Sequence, residues 1–388
     1  MDFRLSEEQQ LIIQNVRRFI REEIRPLEAD LDPDAFQLPP AEYERLVGMT
    51  KAMGLYQMDI PAEYGGMGVD VVTRTLVAEE MAQHRAGLYD PAYGVFGESP
   101  PAQLYGCNEE QREKYLDPFL RGERHAFFGL SEPSGGADPA RAIQTRGVRD
   151  GDDWVINGGK LWTSHADTSD FGIVYVRTDP TKGRQGITAF IVDTDTPGFR
   201  VDRLVQVLRA HYTTELSFTD MRVPHANILG EEGGGFALAN DQLARNRIPY
   251  ASACIGVAVW AHEMAVEWAK QRVTFGEPLA NRQAIQWMLV DNEIDIRTGR
   301  MAALQAADLS ARGEPFRFES SMAKLLCSEG AGRVVDRCIQ IFGGLGVSKD
   351  LPLERFYREL RIRRIGEGPS EVQRIVMARD ILNVRSGS

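Results

Sequence analysis

Phe171-Gly172-Ile173-Val174-Tyr175-Val176 and Ile187-Thr188-Ala189-Phe190-Ile191-Val192 read as two β-strands. Trp154-Val155-Ile156, ahead of the turn formers Asn157-Gly158-Gly159, adds a third, and Glu215 to Val223 a fourth. Short runs rich in β-branched and aromatic residues, alternating apolar and polar and bounded by turn signals, predict an antiparallel sheet. This character begins near residue 126 and lasts to about 229. No helical period interrupts it, so a parallel α/β sheet is not expected.

On both sides of the sheet the helical period takes over. Ser6-Glu7-Glu8-Gln9 is a capping box, and Leu11, Ile12, Val16, Phe19, Ile20, Ile24 and Leu27 follow at helical spacing. Asn108-Glu109-Glu110-Gln111 repeats the device and opens a helix expected to end near Gly122. Pro61 to Gly68 reads as a glycine-rich turn between helices. After Gly233-Gly234-Gly235 a long helical run reaches Ala269, and further helices are expected over roughly 281–312, 316–341 and 370 to the end. The prediction is an α+β protein in three parts: a helical domain over 1–125, a β-rich domain over 126–230 and a C-terminal four-helix bundle over 231–388.

Composition narrows the function. Forty-five basic residues against 56 acidic ones give a net charge of −11, which disfavours general binding to nucleic acid or to a membrane surface. No apolar run approaches the roughly 20 residues of a spanning helix. Met1-Asp2-Phe3-Arg4-Leu5 leads directly into a helix without signal-peptide features. Cys107, Cys254, Cys327 and Cys338 are scattered and unaccompanied by histidine at zinc-site spacing, so no metal is expected. Reduced, mostly buried thiols in a cytoplasmic protein are the expectation.

Three segments carry candidate chemistry. Ile365-Gly366-Glu367-Gly368-Pro369-Ser370-Glu371-Val372-Gln373-Arg374 places one carboxylate between two glycines, before a helix that Ser370 and Gln373 are expected to cap reciprocally. A carboxylate so held suits a general base, and it is also readable as a solvated Glu in a Gly-Pro turn. Phe127-Phe128-Gly129-Leu130-Ser131-Glu132-Pro133-Ser134-Gly135-Gly136-Ala137-Asp138 offers hydroxyls and amide donors to a polar ring edge or an anion, or is an ordinary turn. Lys160-Leu161-Trp162-Thr163-Ser164 could pack on a flat heterocycle, or bury a core Trp beside surface hydroxyls. Neither GxGxxG after a strand nor GxxxxGK[ST] nor GxSxG occurs, so any nucleotide cofactor binds in another manner.

Taken together these segments resemble the acyl-CoA dehydrogenase family over essentially the whole chain. One family signature is similar to Leu130–Asp138, and a second to Gln340-Ile341-Phe342-Gly343-Gly344-Leu345-Gly346 followed by Ile365–Arg374. Asn157-Gly158 through Ser164, Asp220–Pro224, Arg272–Gly276 and Gln283–Gln286 match in the same order. The resemblance implies FAD as cofactor and oxidation of an acyl-CoA thioester to the trans-2-enoyl-CoA. Glu367 takes the position of the base that removes the α-proton while the β-hydrogen leaves as hydride to flavin N5. Some relatives carry the base just before the arginine that matches Arg247; here that residue is Asn246, which leaves Glu367 as the base.

By position, the resemblance assigns Phe128, Leu130, Ser131, Gly136 and Ala137 to the flavin-side loop, with Trp162 and Ser164 at the ring. Arg272, Thr274, Phe275 and Gln283, then Gln340, Gly343 and Gly344, match groups that reach the cofactor partly across a subunit boundary. That implies an obligate homotetramer, a dimer of dimers. Pro369 and Glu371 match the stretch along the FAD. Ala137, Arg247, Gly366 and Gly368 fall on the substrate side. An electron-transfer flavoprotein is the implied electron acceptor.

The chain also departs from the family pattern. Ala137 stands where Ser is usual, Ala244 where an Asp is common, and Val207–Thr213 diverges from Gly-x-Arg-x-Ser. Gly366 replaces a frequent aromatic, which implies room for a branched, cyclic or aromatic acyl group. The basic run Arg355, Arg358, Arg361, Arg363 and Arg364 reads as helix-surface and interface ion pairs, with CoA phosphates or an electron-transfer partner as the other reading. A flavin-dependent oxidase or monooxygenase on the same fold is the alternative activity, and a flavin-free scaffold the rival from another class.

Overall fold

The computed structural model describes residues 4–208 and 211–383. Arg209 and Ala210, within the divergent 207–213 stretch, lie outside the described residues, as do the chain's first three and last five. The described residues form two compact units. One gathers those up to Gly97 with Leu208 and those from Ala244 onward; the other comprises Glu98–Val207 and His211–Leu243. Residues 98–125, helical by sequence, thus belong with the sheet.

In the first unit, helix α1 (Glu7–Phe19) starts as its capping box predicts. Ser6 Oγ accepts from the Gln9 amide and Gln9 Oε1 from the Ser6 amide, both at 3.1 Å. Helices α2 (Pro40–Ala52) and α3 (Val71–Met81) follow. The C-terminal part is built from α4 (Gly235–Gln271), which belongs to this unit from Ala244 onward, α5 (Gln283–Ala311) and α6 (Arg317–Phe342), then the shorter α7 (Leu353–Arg363) and α8 (Ser370–Ile381). The sequence pointed to helix α7 only through the helix-surface reading of its arginines, because charged residues dominate its composition and hide its apolar stripe. Phe356, Leu353 and Leu360 are nonetheless fully buried.

Small residues let these helices approach closely. Ala251, Ala258, Ala261, Ala265, Ala303, Ala306 and Ala331 line their common core. At Gly256 an added Cβ would lie 2.1 Å from the Glu79 carbonyl oxygen of α3, so no side chain fits there. The two faces are also bolted by polar bonds. Arg300 clamps Glu79 through Nε and Nη2 (2.9 and 2.7 Å), and Ser252 donates to the Thr75 carbonyl (2.6 Å).

The second unit is a seven-stranded sheet with the order β1-β4-β2-β3-β7-β6 and β5 paired to β4. The strands are β1 (Ala126–Gly129), β2 (Arg146–Asp150), β3 (Asp153–Thr163), β4 (Phe171–Arg177), β5 (Ile187–Asp193), β6 (Phe199–Gln206) and β7 (Tyr212–Pro224). Asn108 and Gln111 cap the preceding helix reciprocally (2.9 and 3.3 Å), and that helix ends at Gly122, φ +72°. Strands β4 and β5 are buried on both faces from Phe171 to Val176 and from Ile187 to Val192.

Two expectations about the sheet need correction. It is mixed: β1 runs parallel to β4, and β2 touches β4 in parallel at Arg146 and Arg177. Asn157-Gly158-Gly159 is not a turn, since β3 continues through it to Thr163. The glycines instead mark a shift of register against β7, with Gly158 at φ +144° and its absent Cβ 2.6 Å from Thr145 Cα. Glycine inside a strand often signals such a bulge or close backbone approach.

Candidate active site

Glu367 lies in the turn between α7 and α8 with φ +55°, a left-handed backbone that glutamate rarely adopts. The following Gly368 sits at φ +91°. Strain of this kind persists only where neighbours over-determine it, and here they do. Arg247 Nε of α4 donates to the Glu367 carbonyl oxygen (3.1 Å). Lys324 Nζ of α6 donates to the Gly368 carbonyl oxygen (2.8 Å), and Gln373 Nε2 reaches the same two carbonyls (3.2 and 2.9 Å).

The expected capping box at Ser370 and Gln373 does not form. Pro369 occupies the cap position with φ −55° and ψ 157°, so Ser370 is already helical. Its hydroxyl donates to Glu329 Oε1 (2.7 Å), and the Gln373 amide folds back over the turn instead.

The Glu367 carboxylate itself is left ready. Its Oε2 is buried and has no hydrogen-bond partner, an arrangement that normally costs stability. Among the described residues its amide N–H donates to no backbone carbonyl. Burial pushes the carboxyl above its ordinary value, with Arg247, Arg363 and Lys324 pulling in the other direction. Lys324 is fully buried, and that burial lowers its ammonium to about 8. Sequence reasoning did not single out Lys324; the signal available was one cation inside the apolar run Met322-Ala323-Lys324-Leu325-Leu326.

In the sheet unit, the loop after β1 is held from below. Lys160 Nζ on β3 is buried and bonds Glu132 Oε1 (2.7 Å), the Leu130 carbonyl (3.3 Å) and the Tyr175 carbonyl (2.6 Å). Glu132 also accepts from the Gln144 and Thr145 amides (2.6 and 3.1 Å). Leu130 is buried, the Phe128 ring packs on Tyr175 at 5.2 Å, and Gly136 and Ala137 are exposed at the loop tip. The Ser131 carbonyl accepts from the Leu161 amide (2.9 Å), tying this loop to the end of β3. Trp162 sits at the second register shift of β3, at φ +67°, with 54% of its surface exposed. It is therefore no core residue: the bulge turns its indole outward, with Ser164 half-buried two residues on.

The remaining matched residues lie on the helical unit. Phe275 and Gly276 (φ +49° and +83°) form the two-residue turn of a small hairpin, and the Phe275 ring is 98% exposed. Thr274 lends its carbonyl to Arg282 Nη2 (2.5 Å). Arg272, Gln283, Gln340, Gly343 and Gly344 are exposed, and Glu371 is exposed beyond half-buried Pro369. Of the arginine run, Arg355 is no surface residue: it is buried and pairs with buried Glu359 (2.9 Å). Arg358 pairs with Asp34 and Glu354, and Arg364 with Glu329.

These features fit a flat aromatic cofactor. In the sheet unit the strained, outward-turned Trp162 exposes surface that a planar ring system would cover. In the helical unit, taken by itself, Phe275 is exposed and Gly343 and Gly344 have open space around them.

Family models match the acyl-CoA dehydrogenase N-terminal domain over residues 6–123, the middle domain over 127–221 and the C-terminal domain over 233–382. The chain belongs to the acyl-CoA dehydrogenase family, with its helical, β and helical domains in that order. It is 37% identical to a short-chain specific acyl-CoA dehydrogenase of Clostridium acetobutylicum, over 97% of this chain and 99% of that protein. Among solved structures, butyryl-CoA dehydrogenase from Megasphaera elsdenii superposes with a TM-score of 0.87 at 33% identity, covering 98% of this chain and all of that one (100%). A chain from work on the electron-transferring flavoprotein of Acidaminococcus fermentans gives 0.86 at 34%, covering 98% and 100%. The protein is an oxidoreductase of this family, whose cofactor is FAD.

Proposed function

We propose that this enzyme removes hydrogen from the α and β carbons of an acyl-CoA thioester, with Glu367 as the catalytic base. The observation that carries the proposal is the unpartnered, buried Oε2 of Glu367 on a backbone gripped by Arg247, Lys324 and Gln373. The carboxylate takes the α-proton, and the free Glu367 amide donates to the thioester carbonyl as the enolate develops. When bound, FAD supplies the acceptor for the β-hydrogen, which leaves with its electron pair. The α and β C–H bonds break, the carbon–carbon double bond forms, and the proton stays on Glu367. Arg247 keeps the base's carbonyl fixed, and Lys324 and Gln373 do the same for the next residue, so the carboxylate cannot swing away.

The cofactor contacts in this reading follow the positions that match the family. Phe128, Leu130, Ser131, Gly136, Ala137, Trp162 and Ser164 serve the isoalloxazine. Arg272, Thr274, Phe275, Gln283, Gln340, Gly343 and Gly344 serve the pyrophosphate and adenosine of a neighbouring subunit, and Pro369 and Glu371 flank the ring. Ala137, Arg247, Gly366 and Gly368 serve the acyl-CoA. Domain boundaries near residues 125 and 230 go with it. A homotetramer is supported by the apolar stripe Trp287, Val290, Ile294 and Met301, exposed on α5 at helical spacing. An electron-transfer flavoprotein as acceptor is supported by the 34% identity to the Acidaminococcus chain. A cytoplasmic site of action is supported by four unpaired cysteines, and no helix among the described residues is long and apolar enough to cross a membrane.

For the acyl group, the absent side chain at Gly366 supports a branched, cyclic or aromatic substrate, and the short-chain relatives support a small one. Anaerobic bleaching of the flavin by a panel of acyl-CoA esters tests the whole reading. Bleaching by none of them, or rapid reoxidation of the reduced enzyme by oxygen without a partner, would replace it with the oxidase alternative or a non-enzymatic role.

A further inference from the structure

The space released by Gly366 is not empty. An added Cβ at residue 366 would stand 2.7 Å from the Tyr250 hydroxyl and 3.8 Å from Tyr250 Cζ. Tyr250 lies three residues beyond Arg247 on α4, so both side chains leave the same helix face. One grips the Glu367 carbonyl while the other fills the volume beside the neighbouring glycine. The phenol does not swing freely, because the Arg363 guanidinium, from the last turn of α7, stacks on its ring 3.8 Å from the centroid. A ring clamped on one face and abutting a backbone at its tip is a rigid wall.

We propose that Tyr250 is the specificity-determining residue of the acyl site, closing most of the room that Gly366 opens. This inference rests on the dehydrogenase reading above and narrows its substrate class. The wall leaves space for straight chains and single methyl branches next to Glu367, and excludes cyclic and aromatic acyl groups. It also reassigns a shape feature: the bulk that an aromatic at 366 would supply from the loop comes here from the helix, with a hydroxyl at its tip.

The test is anaerobic flavin reduction by butyryl-, isobutyryl-, cyclohexanecarbonyl- and 3-phenylpropionyl-CoA, in wild type, Tyr250→Ala and Tyr250→Phe. Wild type should prefer the first two esters by about tenfold or more, the scale on which pockets discriminate apolar bulk. Tyr250→Ala should raise the ring-to-butyryl ratio of kcat/KM by about tenfold, and Tyr250→Phe should leave it within about twofold. Should Tyr250→Ala fail to fold, Tyr250→Leu removes the ring tip while keeping apolar bulk.

A second, independent readout uses the contact itself. Gly366→Ala should lower the thermal midpoint, and Gly366→Ala with Tyr250→Phe should recover it, since the nearest remaining ring atom is then the one at 3.8 Å. Ring esters turned over as fast as branched ones by wild type, an unchanged ratio in Tyr250→Ala, or no recovery in the double variant would each overturn the inference. If no ester bleaches wild type, the dehydrogenase reading fails and this inference falls with it; bleaching by compact esters with an unmoved ratio removes Tyr250 alone.

Discussion

Glu367 combines three costs that an ordinary surface glutamate avoids: left-handed backbone, a buried unpartnered oxygen and a carboxyl pushed upward by burial. Two consequences follow at the scale of the residue. In its proposed role as base it works only when ionised, so flavin reduction should rise with pH along a limb lying above the ordinary carboxylate value of 4.5. Glu367→Gln should keep its FAD and lose bleaching by acyl-CoA; retained bleaching removes Glu367 from its role. The sign for stability is the opposite of a salt-bridged carboxylate. A raised value in the fold means the protonated form is favoured there, so its contribution is present at low pH and lost as pH rises through the folded value. Glu367→Gln should therefore melt above wild type at neutral pH, with the gap shrinking toward acid.

Lys324 adds a prediction of its own. Its charge is among those holding the Glu367 carboxyl down, together with Arg247 and Arg363. Lys324→Met should shift the pH limb of flavin reduction to higher pH while FAD remains bound. A limb that stays in place would reduce Lys324 to packing.

At the scale of elements, the loop after β1 depends on a cation and an acid that never meet water. Lys160 and Glu132 are both almost fully buried, and burial lowers the Lys160 ammonium to about 8 despite its partner. Breaking such a pair leaves one charge stranded, at about 3–5 kcal/mol. Lys160→Met should lower the urea midpoint accordingly and weaken FAD retention, and adding Glu132→Gln should restore part of both. Equal loss in single and double variants would show that the pair does not act as one unit. The same element illustrates how a motif can be read with the right residues and the wrong geometry. Asn157-Gly158-Gly159 carries turn chemistry, yet pairing with β7 extends the strand through it and converts the glycines into a bulge. Local composition cannot register a partner strand some sixty residues away, which is where the difference arose.

At the scale of the whole molecule, Phe275, Gln283, Gln340 and the apolar stripe of α5 are exposed, and the proposed homotetramer would cover them. Light scattering should give a particle of about four times 43.4 kDa. Trp287→Glu should reduce that mass and release FAD with it. A monomer that holds stoichiometric FAD would remove the subunit-crossing assignment.

Periodicity and short motifs were enough to place the sheet between two helical regions, to open the helices at Ser6 and Asn108, and to mark Glu367 with its flanking glycines, because those signals are written in residues a few positions apart. Long-range packing supplied everything else about the site. The clamps on Glu367 come from α4 and α6, 120 and about 43 residues distant. The Tyr250 wall at Gly366 and the burial of Lys160 against Glu132 likewise exist only once remote segments pack together. A charged or aromatic side chain reads the same in a linear chain whether it ends in water or in a core, and only its folded neighbours fix which.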